Sequence, residues 1–279
     1  MNIYVTGFGG FIGQALKTVL EDAGHQVCPI PHFLLKQGGE QLSAALKMAD
    51  VIVNLAGESI MGRWTEKKKR EIMDSRVITT RNLVTALSGL EVKPLLFINA
   101  SAVGIYPADS YSDEFSVNTG NDFLAQVVKA WEAELEPLKD VRKVILRFGI
   151  VIGKKGGVLK KLEFSAHLGI PLVLGSGWQP FPVIHIDDVC GFILYAVQNE
   201  QVEGIYNLVI SDIPAYKEFA EAVAGIRKPF FTVRIPENVL KWVMGESATM
   251  LTSGANVIPK RLSESGYDLK FSKLSMMFK

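Results

Sequence analysis

Apolar residues along the chain recur in short blocks, and stretches with helical spacing separate these blocks. Asn2–Thr6 is rich in β-branched residues, which predicts a buried strand, and Gln14–Ala23 carries apolar residues at helical spacing. Further strands are predicted at 26–30, 50–57, 95–100 and 143–148, and further helices at 41–48, 65–87, 122–136 and from about 184 onward. Strands that alternate with helices predict an α/β fold with a doubly wound parallel sheet and right-handed crossovers.

The regular pattern loosens after Gly149, where glycine and proline divide the chain into short segments. Regions of this kind commonly carry the loops that cover a substrate. We therefore expect residues 1–150 to form a dinucleotide-binding Rossmann core. Residues 151–279 are expected to return helix and strand elements to that core and to build a small, mostly helical C-terminal lobe.

Composition narrows the class of protein. The chain has 30 Lys and Arg residues and 29 Asp and Glu residues, for a net charge of +1. We therefore expect neither nucleic acid nor a membrane as a partner. Cys28 and Cys190 lie far apart, without metal-ligand spacing around them, and are interpreted as reduced thiols with no metal site. The sequence shows no N-terminal signal, so a cytoplasmic location is expected.

The turn between the first strand and the first helix is rich in glycine. Gly7, Gly10 and Gly13 are spaced as GxxGxxG, in the strand–turn–helix setting that gives this pattern its value. These glycines permit the turn, the approach of a pyrophosphate and close helix–strand packing, while the helix N-terminus offers N–H groups to phosphate. The predicted cofactor-binding residues here are Gly7, Phe8, Gly9, Gly10, Phe11, Ile12 and Gly13. An ordinary tight turn is the alternative.

The end of the second predicted strand bears on the choice between NADP and NAD. Dinucleotide folds that prefer NAD commonly place an acid there, on the ribose hydroxyl. No Asp or Glu lies between Ala23 and Gly39, whereas His32 and Lys36 are available. This favours the 2′-phosphate of NADP, with His32 as its candidate ligand and NAD as the second choice.

Two of the other predicted strands end in small residues. Leu55, Ala56 and Gly57 end the strand at 50–57, and Ala100 ends the strand at 95–100, with Ser101 directly after it. Open α/β sheets bind ligands at the carboxyl ends of their strands, so these residues are further cofactor-binding candidates. Close packing between a helix and a strand explains small residues equally well.

These segments together resemble the extended short-chain dehydrogenase/reductases, the group of nucleoside-diphosphate-sugar epimerases, over nearly the whole chain. More narrowly, the chain is similar to an atypical branch labelled "epimerase family protein" and sometimes "cell division inhibitor". The segments that carry the resemblance are the GxxGxxG turn, 50–58, 63–65, 75–76, 103–106, 131–132, 146–149, 175–177, 184–189 and 259–262. The resemblance implies a Rossmann fold with a nicotinamide cofactor. It also implies homodimers that pair through helices near 65–87 and 122–136.

The catalytic pair that this resemblance implies is missing from the sequence. In the resembled family a Tyr-x-x-x-Lys pair and a serine or threonine exchange a proton with the substrate. None of the seven tyrosines is followed four residues later by lysine. Phe123 and Val127 stand in the two places of the pair, and Ala102 stands in the place of the serine. The usual mechanism is therefore not open to this chain.

Other polar residues near the carboxyl edge of the sheet are candidates for the missing roles. Ser101 and Tyr106 are the catalytic candidates, and a tyrosine acting as base would need a cationic neighbour. Arg147 is a further cofactor-binding candidate, and Arg76 could face the same cleft. The candidate substrate residues are Glu58, Arg63, Trp64 and His185. For each of these residues a structural role is the alternative: a packed tyrosine, an ion-paired arginine, a hydrogen-bonded histidine or a helix anchor.

Three functions remain open at the level of sequence. The first is an NADP-binding, epimerase-like oxidoreductase of undefined small-molecule substrate, with a sugar nucleotide as the family default. The second is a cofactor-binding regulator or scaffold without catalysis, because the tyrosine, lysine and serine positions are lost together. The third is a Rossmann protein that binds no dinucleotide. The enzyme is our working hypothesis.

Overall fold

A six-stranded sheet lies at the centre of the protein, which is described here from a computed structural model. The structure describes residues 1–154, 156, 157, 159, 170–225 and 232–278. The strands are β1 (Asn2–Thr6), β2 (Gln26–Pro29), β3 (Val51–Asn54), β4 (Leu96–Ala102), β5 (Tyr111–Ser112), β6 (Arg142–Phe148), β7 (Ile150–Gly153), β8 (Leu172–Leu174), β9 (Val183–His185), β10 (Gly204–Leu208), β11 (Val233–Ile235) and β12 (Asn256–Val257). The order in the central sheet is β10-β6-β4-β3-β1-β2, and all its pairings are parallel.

Helices cover both faces of this sheet. They are α1 (Phe11–Asp22), α2 (His32–Gln37), α3 (Gly39–Leu46), α4 (Glu66–Ser88), α5 (Phe123–Ala133), α6 (Ile186–Gln198), α7 (Tyr216–Val223), α8 (Glu237–Met244), α9 (Thr249–Thr252) and α10 (Lys260–Glu264). On one face Ile98 packs in a core with Leu16 of α1 and Ile193 of α6. On the other face Phe97 packs in a second core with Leu83 of α4. A parallel sheet buried on both faces confirms the predicted doubly wound α/β class.

Two elements near the glycine turn have bounds that differ from those predicted. Helix α1 begins at Phe11 rather than at Gln14, so that Gly13 lies buried within its first turn. Strand β3 ends at Asn54 rather than at residue 57. The N–H groups of Leu55 and Ala56 donate to Thr6 Oγ1, at 2.9 and 3.0 Å, and so leave the strand ladder.

Two further helix starts refine the prediction. Helix α2 was not predicted, because it is only six residues long and its buried face consists of Leu34 and Leu35. The helix expected from about residue 184 begins at Ile186. Its N-cap is His185, whose Nδ1 accepts the N–H of Asp187 at 3.2 Å, while the acids at 187 and 188 lie in the first turn.

The second half of the chain both completes the central sheet and builds a further hydrophobic cluster. Strand β10 adds to the sheet edge beside β6, while β7–β9, β8–β11 and β5–β12 form two-stranded parallel pairs. Helices α7 to α10 follow β10. Residues 160–169, in the stretch expected to be rich in glycine and proline, lie outside the described residues. Among the helices that the structure describes, none has the length and apolar character that crossing a bilayer requires.

Candidate functional site

The glycine turn between β1 and α1 is shaped by two close main-chain contacts. Gly7 has a φ of +63°, and a Cβ built there would lie 2.5 Å from the carbonyl oxygen of Leu55. A Cβ built on Gly13 would lie 2.5 Å from the carbonyl oxygen of Gly7. Both positions therefore exclude a side chain. The result is a tight turn that brings the start of α1 against the carboxyl ends of β1 and β3.

The start of α1 leaves backbone N–H groups available to a ligand. The first α-helical hydrogen bond runs from Gln14 N–H to the Gly10 carbonyl at 3.0 Å. The N–H groups of Phe11 and Ile12 come before this bond and have no partner within the helix. Gly9 and Gly10 are exposed, and a Cβ on Gly9 would meet no atom within 4 Å. An open helix N-terminus with exposed glycines suits a phosphate group.

The ring of Phe11 is held by glycines from the second half of the chain. A Cβ built on Gly153, Gly156 or Gly157 would lie 2.9, 2.6 or 3.2 Å, respectively, from an atom of the Phe11 ring. Phe8 has a separate anchor, because Gln14 Nε2 donates to its carbonyl at 2.9 Å. The turn is therefore fixed from both sides by packing and by hydrogen bonds.

A buried polar network joins the strand ends next to this turn. Thr6 Oγ1 donates to Asn54 Oδ1 at 2.6 Å, and Asn54 Nδ2 donates to Asn99 Oδ1 at 2.7 Å and to Thr80 Oγ1 at 2.9 Å. Trp131 Nε1 also donates to Thr80 Oγ1, at 2.9 Å. These contacts connect β1, β3 and β4 with α4 and α5. Because buried polar groups are costly to leave unpaired, the network fixes the carboxyl edge of the sheet.

The loop after β3 lies against Arg76 of α4. A Cβ on Gly57 would lie 3.0 Å from Arg76 Nη2, and Arg76 Nη1 donates to the carbonyls of Glu58 and Ile72, at 3.0 Å each. Burial lowers the pKa of Arg76 to about 10, although the charge of Glu58 opposes this shift. Across the described ranges, no carboxylate lies within 4.0 Å of the guanidinium nitrogens. Arg76 is thus a half-buried cation beside Gly57, without an ion-pair partner in the described chain.

A second buried network contains the two catalytic candidates. Ser101 Oγ donates to Glu132 Oε1 at 2.5 Å, and Arg147 forms a bidentate ion pair with Glu132 at 2.7 and 2.8 Å. Arg147 Nη1 donates to the Tyr106 hydroxyl at 2.8 Å, which in turn donates to Asn207 Oδ1 at 2.9 Å. Ser101, Tyr106 and Arg147 therefore lie close together, as a catalytic role for the two hydroxyls would require. Their polar groups, however, bond to one another or to Glu132 and Asn207.

The protonation of this network follows from its burial and charges. Burial raises the pKa of Tyr106, and the charge and hydrogen bond of Arg147 only partly offset the effect. Burial disfavours the charged form of Arg147, yet the hydrogen bonds and charge of Glu132 raise its pKa overall. Arg147 is the cationic neighbour that the tyrosine hypothesis needed. Even so, Tyr106 stays protonated at neutral pH and acts as a hydrogen-bond donor in this arrangement.

The remaining cofactor candidates lie at the same edge of the sheet. His32 is the first residue of α2, directly beyond the carboxyl end of β2, and its side chain is exposed. Ala100 is buried in β4, in register with Leu146 of β6. Because β2 pairs with β1, His32 follows the strand that lies next to the one leading into the glycine turn.

The four substrate candidates occupy different surroundings. Glu58 pairs with Lys68 at 2.6 Å on the surface, and Arg63 is exposed. His185 stacks on Phe271, with ring centroids 3.8 Å apart, and burial lowers its pKa despite the nearby acids. Trp64 is buried, and its Nε1 donates to the carbonyl of Ile60 at 2.7 Å. Among the described residues, no hydrogen bond or ion pair joins any two of these four side chains.

Several residues of the site could not be assigned from sequence, although some carried a signal. Asn54 and Asn99 are polar residues within otherwise apolar strands, which is the pattern expected of side chains that bond to one another. Asn207 carries the same signal within β10, whereas Glu114 and Glu132 do not. Glu114 Oε1 accepts the N–H of Asn207 at 2.9 Å from 93 residues away. No group of three or more metal-binding side chains occurs among the described residues.

Comparison with known proteins identifies the family. A sequence model described as "NAD dependent epimerase/dehydratase family" matches residues 3–208. The chain belongs to this family. A second model, a domain of unknown function (DUF1731), matches residues 235–279. The match over residues 3–208 confirms the resemblance drawn from the glycine turn and the strand-end motifs.

Three members of the family illustrate how far the similarity extends. Epimerase family protein SDR39U1 of Mus musculus is 34% identical, with 100% of this chain and 99% of that protein covered. Epimerase family protein YfhF of Bacillus subtilis is 32% identical, with 98% and 95% covered. The crystal structure of human SDR39U1 (isoform 2) with NADPH has a TM-score of 0.89 and 32% identity, with 100% of this chain and 98% of that chain covered. The similarity therefore extends over the C-terminal part of the chain as well.

Proposed function

We propose that this chain binds NADPH at the carboxyl edge of its central sheet and acts as an oxidoreductase on a small molecule. The observation that carries the proposal is the glycine turn, where Gly7 and Gly13 exclude side chains and α1 presents free N–H groups. The human relative solved with NADPH supports the choice of cofactor. NAD remains the second choice.

The residues present fit such a cofactor. The N–H groups at the start of α1, with the exposed backbone of Gly9 and Gly10, would hold the pyrophosphate. His32 would meet the 2′-phosphate, since no acid lies at the end of β2 to select a ribose hydroxyl instead. The cationic Arg76 would complement a negative group of the cofactor beside Gly57.

Bound NADPH would supply a hydride, and the chain's own residues would position the substrate. With Phe123 and Val127 in place of a tyrosine–lysine pair, α5 offers no ionisable group at these positions. The hydroxyls of Ser101 and Tyr106 already donate hydrogen bonds to Glu132 and Asn207. A proton required by the reaction would therefore have to come through a rearrangement of this network or from solvent.

A regulatory or scaffold function without catalysis is the second candidate. The observation that favours it is the same buried network, in which both candidate hydroxyls are already bonded to protein groups. In this case NADPH would change the shape of the protein or its affinity for a partner, and no turnover would follow.

Two measurements test these proposals in order. Titration of NADPH with the full chain, followed by nicotinamide fluorescence, should give saturable binding that is tighter than binding of NADH. Absence of binding would refute both proposed functions. Oxidation of bound NADPH across a broad panel of carbonyl compounds would then support the enzyme. Complete inertness, together with tight binding, would support the regulator.

A further inference from the structure

Helix α2 exposes one aromatic ring and two basic side chains. His32, Phe33 and Lys36 are all exposed, whereas Leu34 and Leu35 between them are buried in the core. Residues three and four apart lie side by side on a helix, so Lys36 is the neighbour of both His32 and Phe33 on the outer face. Phe33 is 58% exposed, and within the described ranges no aromatic or cationic side chain covers its ring. An apolar ring beside two basic groups is therefore left open to solvent.

This outer face begins at the ligand-binding edge of the sheet. Only residues 30–31 separate the end of β2 from the start of α2. On the inner face, Leu34 belongs to the same hydrophobic cluster as Ala56, which lies in the loop after β3. Because side chains on a helix tilt toward its N-terminus, His32 and Phe33 lean back toward the carboxyl ends of the strands. Dinucleotide folds place the adenosine end of the ligand there, beside the second strand.

The charges around the ring favour an anionic ligand. No Asp or Glu occurs between Ala23 and Gly39, and the first acid after them is Glu40, in the first turn of α3. In the part of the chain that the structure describes, neither His32 nor Lys36 has a carboxylate within 4.0 Å. Both side chains can therefore contact a phosphate of a ligand without first giving up a partner in the protein.

We infer that Phe33 stacks on the adenine base of the bound nucleotide, and that Lys36, beside His32, contacts its 2′-phosphate. The inference rests on the proposed function for the place of the nucleotide, and it adds the residues that select the adenosine end. Stacking of a base on an aromatic side chain is worth about 5- to 150-fold in affinity. The nicotinamide takes no part in these contacts. A 2′-phosphorylated adenine nucleotide should therefore bind here even when no nicotinamide is attached.

The test uses the full chain and three ligands titrated by calorimetry: NADPH, NADH and 2′,5′-ADP, which keeps the adenine and the 2′-phosphate but has no nicotinamide. Phe33→Ser should weaken all three by about tenfold, since all carry adenine, whereas Phe33→Tyr keeps a ring and should bind them nearly as the wild type does. Lys36→Gln should weaken NADPH and 2′,5′-ADP but leave NADH unchanged. Phe115→Ser, at a phenylalanine that is 60% exposed, is the matched control and should change no ligand.

An affinity for 2′,5′-ADP that is the same in Phe33→Ser and in the wild type would overturn the stacking contact, as would equal losses in Phe33→Ser and Phe115→Ser. Equal weakening of NADH and NADPH in Lys36→Gln would overturn the contact with the 2′-phosphate. Thermal unfolding of each variant shows whether the protein is folded. If the wild type binds 2′,5′-ADP but not NADPH, the proposed function fails while the adenine contact stands. Failure to bind either ligand refutes both.

Discussion

Replacement of Gly13 by alanine tests the contact on which cofactor binding is proposed to depend. The new Cβ would lie 2.5 Å from the Gly7 carbonyl oxygen, 2.7 Å from the Phe8 carbonyl oxygen and 2.8 Å from Phe8 Cα. All three are main-chain atoms, so rotation of a side chain cannot relieve the overlap. The turn that faces the phosphates must move away from α1.

Two opposing effects on stability make the sign of the result informative. Alanine in place of glycine inside a helix stabilises by about 1 kcal/mol. Overpacking of a close contact costs about 1–3 kcal/mol. Because three main-chain contacts shorter than 3.0 Å arise together, we expect Gly13→Ala to lower the free energy of unfolding. Loss of one charge-assisted hydrogen bond to phosphate, about 1.5–3 kcal/mol, would also weaken NADPH roughly 10- to 150-fold.

Urea denaturation and titration of nicotinamide fluorescence measure the two effects. Gly89→Ala, just after the end of α4, is the matched control. A Cβ there would meet only the carbonyl oxygens of Ala86 and Thr85, at 3.8 and 3.9 Å, and the variant should leave the affinity for NADPH close to that of the wild type. A Gly13→Ala protein that binds NADPH with unchanged affinity, or that is more stable than the wild type, would refute the reasoning.

Three further predictions concern other parts of the site. Glu132→Gln leaves Arg147 as a buried cation without a carboxylate, so it should lower the free energy of unfolding in urea by about 3–5 kcal/mol. Glu134→Gln, which breaks a more exposed ion pair, is the control and should lower it much less; equal losses would contradict the prediction. Burial lowers the pKa of His185 in the folded protein, so the unfolded chain takes up the proton first and stability should fall as the pH drops below 6.5. His185→Asn keeps a helix-capping side chain and should reduce the dependence of the melting temperature on pH in this range. An unchanged dependence would count against a role for His185. His32→Asp should weaken NADPH relative to NADH by about tenfold or more, and an unchanged ratio of dissociation constants would exclude His32 from the cofactor site.

The parts of the fold with a repeating local pattern could be predicted from the sequence. The apolar blocks of β1, β3, β4 and β6 and the helical spacing of α4 and α5 each extend over several residues, and the spacing alone identifies them. Strands β5 and β12 have only two residues each, and their pairing joins positions far apart in sequence. No local signal exists for such elements, because their stability comes from the surrounding tertiary structure.

The candidate site divides in the same way. The glycine turn could be recognised because its three glycines, its strand and its helix are contiguous. The network around Tyr106 could not, because the hydroxyl meets Asn207 across 101 residues and Ser101 meets Glu132 across 31. Sequence proximity suggested that Ser101 and Tyr106 were free groups near a cleft. Tertiary contacts instead supply each with a buried partner.

The seating of Phe11 among three glycines has a consequence for how the two halves of the chain depend on each other. A cut at residue 150 would strip the ring of its packing partners and remove strand β10 from the sheet edge. The first 150 residues are therefore not expected to fold as an autonomous unit with native affinity for a nucleotide. Conversely, a ligand that steadies the start of α1 should slow amide hydrogen exchange near Gly156, more than a hundred residues downstream.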